Sequence, residues 1–164
     1  MMFDLKTFTL IHVVIGLLAI GSGFVVTFGL IAGKRLDAWT AFFLATTIAT
    51  SVTGFGFPIT QVTPGIVLGV ISLLVLAIAV FARYGRHLAG AWRLVYVISA
   101  VIALYLNFFV LIVQSFLKVP ALKDLAPTQS EPPFAVAQLI ALVAFIVLGF
   151  IAAKRFREKP VSLP

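Results

Sequence analysis

The stretch Gly65-Ile-Val-Leu-Gly-Val-Ile-Ser-Leu-Leu-Val-Leu-Ala-Ile-Ala-Val-Phe-Ala-Arg83 meets no charged residue before its last position, and Ser72 is its only other polar side chain. As a helix rising 1.5 Å per residue it would be about 28 Å long, close to the ~30 Å hydrocarbon thickness of a bilayer. As a barrel strand it would be about twice too long, and it lacks the alternation of apolar and polar residues that a barrel wall needs. Hydrocarbon holds no water to satisfy a free N–H or C=O, so a continuous apolar run of this length reads as a membrane helix.

Four further runs read in the same way: 7–31, 39–57, 94–117 and 134–152. All eight prolines (Pro58, Pro64, Pro120, Pro127, Pro132, Pro133, Pro160 and Pro164) fall outside the five interiors. Proline removes a helix hydrogen bond, so its exclusion marks the helix ends. The expected fold is an all-α integral membrane protein, a five-transmembrane-helix bundle forming a single domain over 1–164. Composition agrees, with 62% of the 164 residues hydrophobic and 10% charged, and a mean hydropathy of +1.20. A soluble domain is nearer half apolar and a quarter charged, and one globular core could not hide the excess. The first run is expected to be a retained helix rather than a signal peptide, because Met1 to Lys6 carries one Asp and one Lys instead of a positive flank.

The net charge of +7 does not point to nucleic acid, because the basic residues flank the apolar runs instead of forming a basic domain. Their placement sets orientation. With five crossings, Lys34, Arg35, Arg83, Arg86, Arg93, Lys154, Arg155, Arg157 and Lys159 share one side, against Lys6, Lys118 and Lys123 on the other. The positive-inside rule then puts the N-terminus outside, the 118–133 loop external and the tail 153–164 in the cytoplasm. The economy of the loops points to a bacterial-type inner (plasma) membrane.

Polar residues within the runs are patterned. At about 100° per residue, His12, Gly16, Ala19, Gly23 and Thr27 form one stripe, and Tyr96, Ser99, Ala103, Asn107 and Gln114 another. Ala41, Ala45, Ala49 and Thr53 lie beside Thr46, Thr50 and Gly54, while Gly29/Gly33 and Gly65/Gly69 have the small-xxx-small spacing of close helix crossings. These stripes are expected to face the bundle interior. In the expected orientation His12 lies ~8 Å below the outer boundary, in the same half of the bilayer as Thr50, Ser51, Thr53, Asn107, Gln114 and Gln138. Those seven residues form a candidate outer-leaflet ligand pocket, with the proline-rich 118–133 segment as its roof. In a purely structural reading they would be helix glue, His12 bonding Gln138 or a neighbouring hydroxyl.

Several chemistries are disfavoured. No Asp, Glu, Lys or Arg is expected in a span interior, which argues against proton or ion coupling. The absence of cysteine excludes disulfides and thiolate sites. A bis-histidine haem within one chain is ruled out, because His87 belongs to the connection at the opposite end from His12, so no cofactor, metal site or catalytic residue is expected. The favoured function is a non-enzymatic binding or accessory protein, its pocket holding a lipid-like or quinone-like molecule or a partner helix. The alternatives are an oligomeric passive channel or small transporter, and a lipid- or quinone-modifying enzyme with His12 as acid/base. Expected partners are membrane lipids, further copies of the chain in a homo-oligomer, or a larger membrane complex.

Overall fold

A computed structural model describes residues 4–58 and 63–157, and no strand occurs among them. Its elements are α1 (Leu5–Ile31), α2 (Asp37–Gly54), α3 (Pro64–Val80, continued by one π-helical turn, Phe81–Gly85), α4 (Trp92–Lys118), the short α5 (Pro120–Leu125) and α6 (Pro132–Arg155). Pro64, Pro120 and Pro132 open their helices, where a missing N–H costs nothing. Four helices (α1, α3 with its π turn, α4 and α6) are long and apolar enough to cross a membrane. The helix α2 is shorter, 18 residues, and ends at Gly54 rather than at 57, because Phe55 and Gly56 turn back onto the carbonyls of Val52 and Thr53.

The long helices alternate in direction. Along α1 and α2, His12 faces Gly54, Gly16 faces Thr50, and Gly23 faces Phe43, while Gly29 meets Leu36 in the turn. This register is that of an antiparallel pair in contact along nearly its whole length. Ser51 and Ser72 join α2 to α3 at 3.1 Å. Between α4 and α6, Phe116 meets Phe134 and Tyr105 meets Phe145, and Val101 meets Gly149. Helices α1 to α4 thus close into a ring, and α6 lies against α1 and α4.

Side chains are distributed as in a bundle solvated by hydrocarbon. On α6 only Ala141, Phe145 and Ala152 are buried, whereas Leu139, Ile140, Val143, Ile146 and Phe150 are exposed. Water would penalise so large an apolar face, and lipid does not.

Several expected interior faces are rotated. On α1, Ala19, Gly23 and Thr27 are buried as the stripe implies. On α2, Ala41 and Ala45 point outward, and the buried face is Thr40, Phe43, Leu44, Thr47 and Ser51. Hydroxyls are poor guides here because they satisfy themselves locally: Thr46 and Thr47 each donate at 2.7 Å, and Thr50 at 2.9 Å, to the carbonyl four residues earlier. Gly29 and Gly33 are not a helix crossing. Gly29 receives the Leu36 side chain, and Gly33, with φ +71°, makes the left-handed turn that ends α1.

The 118–133 segment folds onto the end of α4 and α6. Gln129 Nε2 donates to the Val113 carbonyl at 2.8 Å, and Glu131 accepts from Thr128 Oγ1 at 2.8 Å and from Ser130 N at 3.1 Å. Desolvation raises the Glu131 pKa, but these hydrogen bonds outweigh it and hold the carboxyl below its ordinary value.

A close glycine approach lies between α1, α2 and α4. A Cβ on Gly23 would fall 2.5 Å from a Leu104 methyl and 2.8 Å from the Phe43 ring. We expect Gly23→Leu to cost about 1–3 kcal/mol by overpacking, read as a lowered thermal midpoint in detergent. An unchanged midpoint would show that α1 does not need this approach.

Candidate functional site

A cavity of about 410 Å³ opens at one end of the four-helix ring, within the range of small-molecule sites. Helix α1 contributes His12; α2 and the turn after it contribute Thr50, Ser51, Gly54, Phe55, Phe57 and Pro58. Thr63 and the first two turns of α3 supply Gly65, Ile66, Leu68, Gly69 and Ser72, and α4 supplies Leu106, Asn107, Val110 and Gln114. Alternation of direction is what gathers these residues, since the starts of α1 and α3 meet the ends of α2 and α4.

Five of the seven sequence candidates (His12, Thr50, Ser51, Asn107 and Gln114) line this cavity. Thr53 stands behind it, 2.8 Å from His12 Nδ1. Gln138 lies elsewhere: its Nε2 donates to the Phe109 carbonyl at 3.3 Å across the α4–α6 seam. The expected roof is also displaced, as no residue of 118–133 lines the cavity among the described residues. Its rim is the α2–α3 connection, through Phe57, Pro58 and Thr63. Ser72 and Thr63 were missed in sequence, Ser72 because one serine in an apolar run carries no positional signal.

The hydrogen-bond inventory says what the cavity can hold. Thr53 Oγ1 donates its single proton to the Ala49 carbonyl at 2.7 Å, so we assign Nδ1–H of His12 as donor to Thr53, leaving Nε2 with its lone pair. Phe57 fixes the other side of the imidazole, edge to face at 5.2 Å. Asn107 lines the cavity, and its Nδ2 is buried without a hydrogen-bond partner. No Asp, Glu, Lys or Arg lines the cavity among the described residues. Uncharged donors and acceptors set in aromatic and aliphatic walls suit a neutral, amphipathic guest.

The other end of the same ring holds the polar feature that sequence reading misplaced. Arg83, expected in an exposed basic connection, is 2% exposed. It is ion-paired with Asp37, donates to the Arg35 carbonyl at 3.4 Å, and lies 5.2 Å from the Tyr96 ring centroid. Arg83 thus lies at the end of a candidate spanning helix, but buried in the bundle there. Ser72, Leu76, Ala79 and Arg83 run down one face of α3, and the structure buries that face. The π turn keeps the helix unbroken past Arg83, with Arg86 N bonded to the Phe81 carbonyl, and the cation is thereby delivered between α2 and α4.

Comparison with known proteins finds no matching family model, no matching curated protein and no matching solved structure.

Removal of the Asp37 carboxylate would leave a nearly buried guanidinium with a carbonyl as its remaining acceptor. Asp37 itself is largely exposed, which reduces the cost of losing it. Asp37→Ala should destabilise by about 1–3 kcal/mol, and an unchanged unfolding midpoint would show that the pair contributes nothing.

Proposed function

We propose that this chain is a five-span protein of a bacterial-type inner membrane, with the N-terminus outside and the C-terminus in the cytoplasm. It acts as a non-enzymatic binding or accessory protein whose outer cavity holds a neutral lipid-like or quinone-like molecule. What supports a fifth crossing is the pairing of α2 with α1: a helix lying antiparallel along nearly all of a spanning helix traverses the same thickness. The hydroxyls that lower the hydropathy of α2 are back-bonded to its own carbonyls, which makes them tolerable in hydrocarbon. The excess of basic residues at one end supports the orientation.

The observation that carries the ligand reading is Asn107 Nδ2, a buried donor without a partner beside an uncharged cavity. A carbonyl oxygen, of a quinone ring or a lipid ester, is the complementary acceptor. The apolar walls accept a tail, and the lack of charge in the lining disfavours ion-coupled transport.

Orientation is tested with a reporter active only in the periplasm. Fusion at Leu125 should be active, and fusions at Leu36 and Leu88 silent; activity at both Leu36 and Leu125 breaks the five-span reading.

Ligand binding is tested by native mass spectrometry from mild detergent. The wild-type protein should carry a neutral lipid or isoprenoid quinone, and Asn107→Leu should lower its occupancy roughly tenfold, the loss of one hydrogen bond. Wild-type protein free of any such adduct, or an Asn107→Leu variant with undiminished occupancy, would sink the reading.

A further inference from the structure

At the basic end of the bundle a second concavity, about 560 Å³, runs as a groove between α4 and α6. Its α4 wall extends from Leu94 to Tyr105, and its other wall from Leu142 to Lys154 on α6 and on to Arg157 just beyond it. Gly149 makes the groove deep, since the space of its missing side chain reaches to 3.4 Å from Val101. The walls are apolar except at one end, where Lys154 and Arg157 stand, and no acidic residue lines the groove among the described residues. Lys154 is held at that end with its Nζ 4.6 Å from the Phe150 ring centroid.

Dimensions and charge together select the occupant. Leu94 to Tyr105 spans about 17 Å of helix, close to the ~15 Å of a single leaflet's hydrocarbon. The two cations lie where a phospholipid inserted along the groove would carry its phosphate. A helix of a second copy is a poorer fit. The same face of another copy would present like charges, its own Lys154 and Arg157.

We propose that the α4–α6 groove is a binding site for one anionic phospholipid of the leaflet at the basic end. One acyl chain lies over Gly149, and the phosphate sits between Lys154 and Arg157. The two cations select for headgroup charge, because phosphatidylcholine offers a phosphate already neutralised by its own ammonium. The site is separate from the outer cavity, and it does not rest on what that cavity binds.

The test is titration of the purified full chain in mild detergent with phosphatidylglycerol or phosphatidylcholine of identical acyl chains, with occupancy read by native mass spectrometry. The wild type should bind phosphatidylglycerol roughly tenfold more tightly, from two basic contacts. Lys154→Gln/Arg157→Gln, both at exposed positions, should bring phosphatidylglycerol down to the level of phosphatidylcholine without changing the latter. Gly149→Leu should lower both, by filling the groove. Equal affinity of the wild type for the two lipids overturns the proposal, as does a preference that survives in the double variant. A dimer that competes with phosphatidylglycerol and is lost in Gly149→Leu would assign the groove to a second copy instead.

Discussion

Hydrocarbon offers no hydrogen-bond partner, so each polar group carried into it must be satisfied by the protein itself. The backbone meets that demand as helices. The hydroxyls meet it mostly within their own helix: Thr27, Thr47, Thr50 and Ser99 each donate to the carbonyl four residues earlier, at 2.7 to 2.9 Å. A helix as rich in threonine as α2 can then lie beside α1 over most of its length, although its hydropathy is the lowest of the long helices. Polar groups that cannot close onto their own helix have to reach across the bundle. Those groups, at His12, Ser51, Arg83, Asn107 and Gln138, mark the places where helices are tied together or left open.

The two ends of the α1–α4 ring bury different polar groups. At the basic end a full charge is buried against Asp37, the Arg35 carbonyl and the face of Tyr96, while Arg83 Nη1 and the Tyr96 hydroxyl have no hydrogen-bond partner. Packing there is close, with Thr40 and Tyr96 fully buried. At the other end a cavity lies among uncharged groups, and Asn107 Nδ2 is buried without a partner.

Much of this architecture was legible along the chain. The apolar runs and prolines located α1, α3, α4 and α6 to within a few residues, because helix length, hydropathy and proline exclusion are local properties. The α1 stripe from Ala19 to Thr27 was legible for the same reason, since small residues at helical spacing permit close approach wherever the partner lies. On α2 that logic misled. Ala41 and Ala45 are as small as any crossing residue, yet they face outward, because Phe43 and Leu44 fill the space between α1, α3 and α4. Convergence of His12, Thr50, Ser51, Asn107 and Gln114 followed from depth alone, which alternation of direction preserves. Gln138 had the right depth but the wrong seam, since α6 packs outside the ring.

The sequence by itself determined the class of the protein, the extent of its long apolar helices and the end at which positive charge collects. These depend on one chain segment against its solvent, and hydropathy and spacing express them directly. Only the tertiary structure decided which neighbours each helix has. The interior position of Arg83, the rim formed by the α2–α3 connection and the groove above Gly149 all depend on that choice. The physical reason is that in lipid the outward and inward faces of a helix are almost equally apolar, so periodicity cannot assign a partner. That assignment comes from shape, from which small residue admits which large one, and shape exists only once the helices have met.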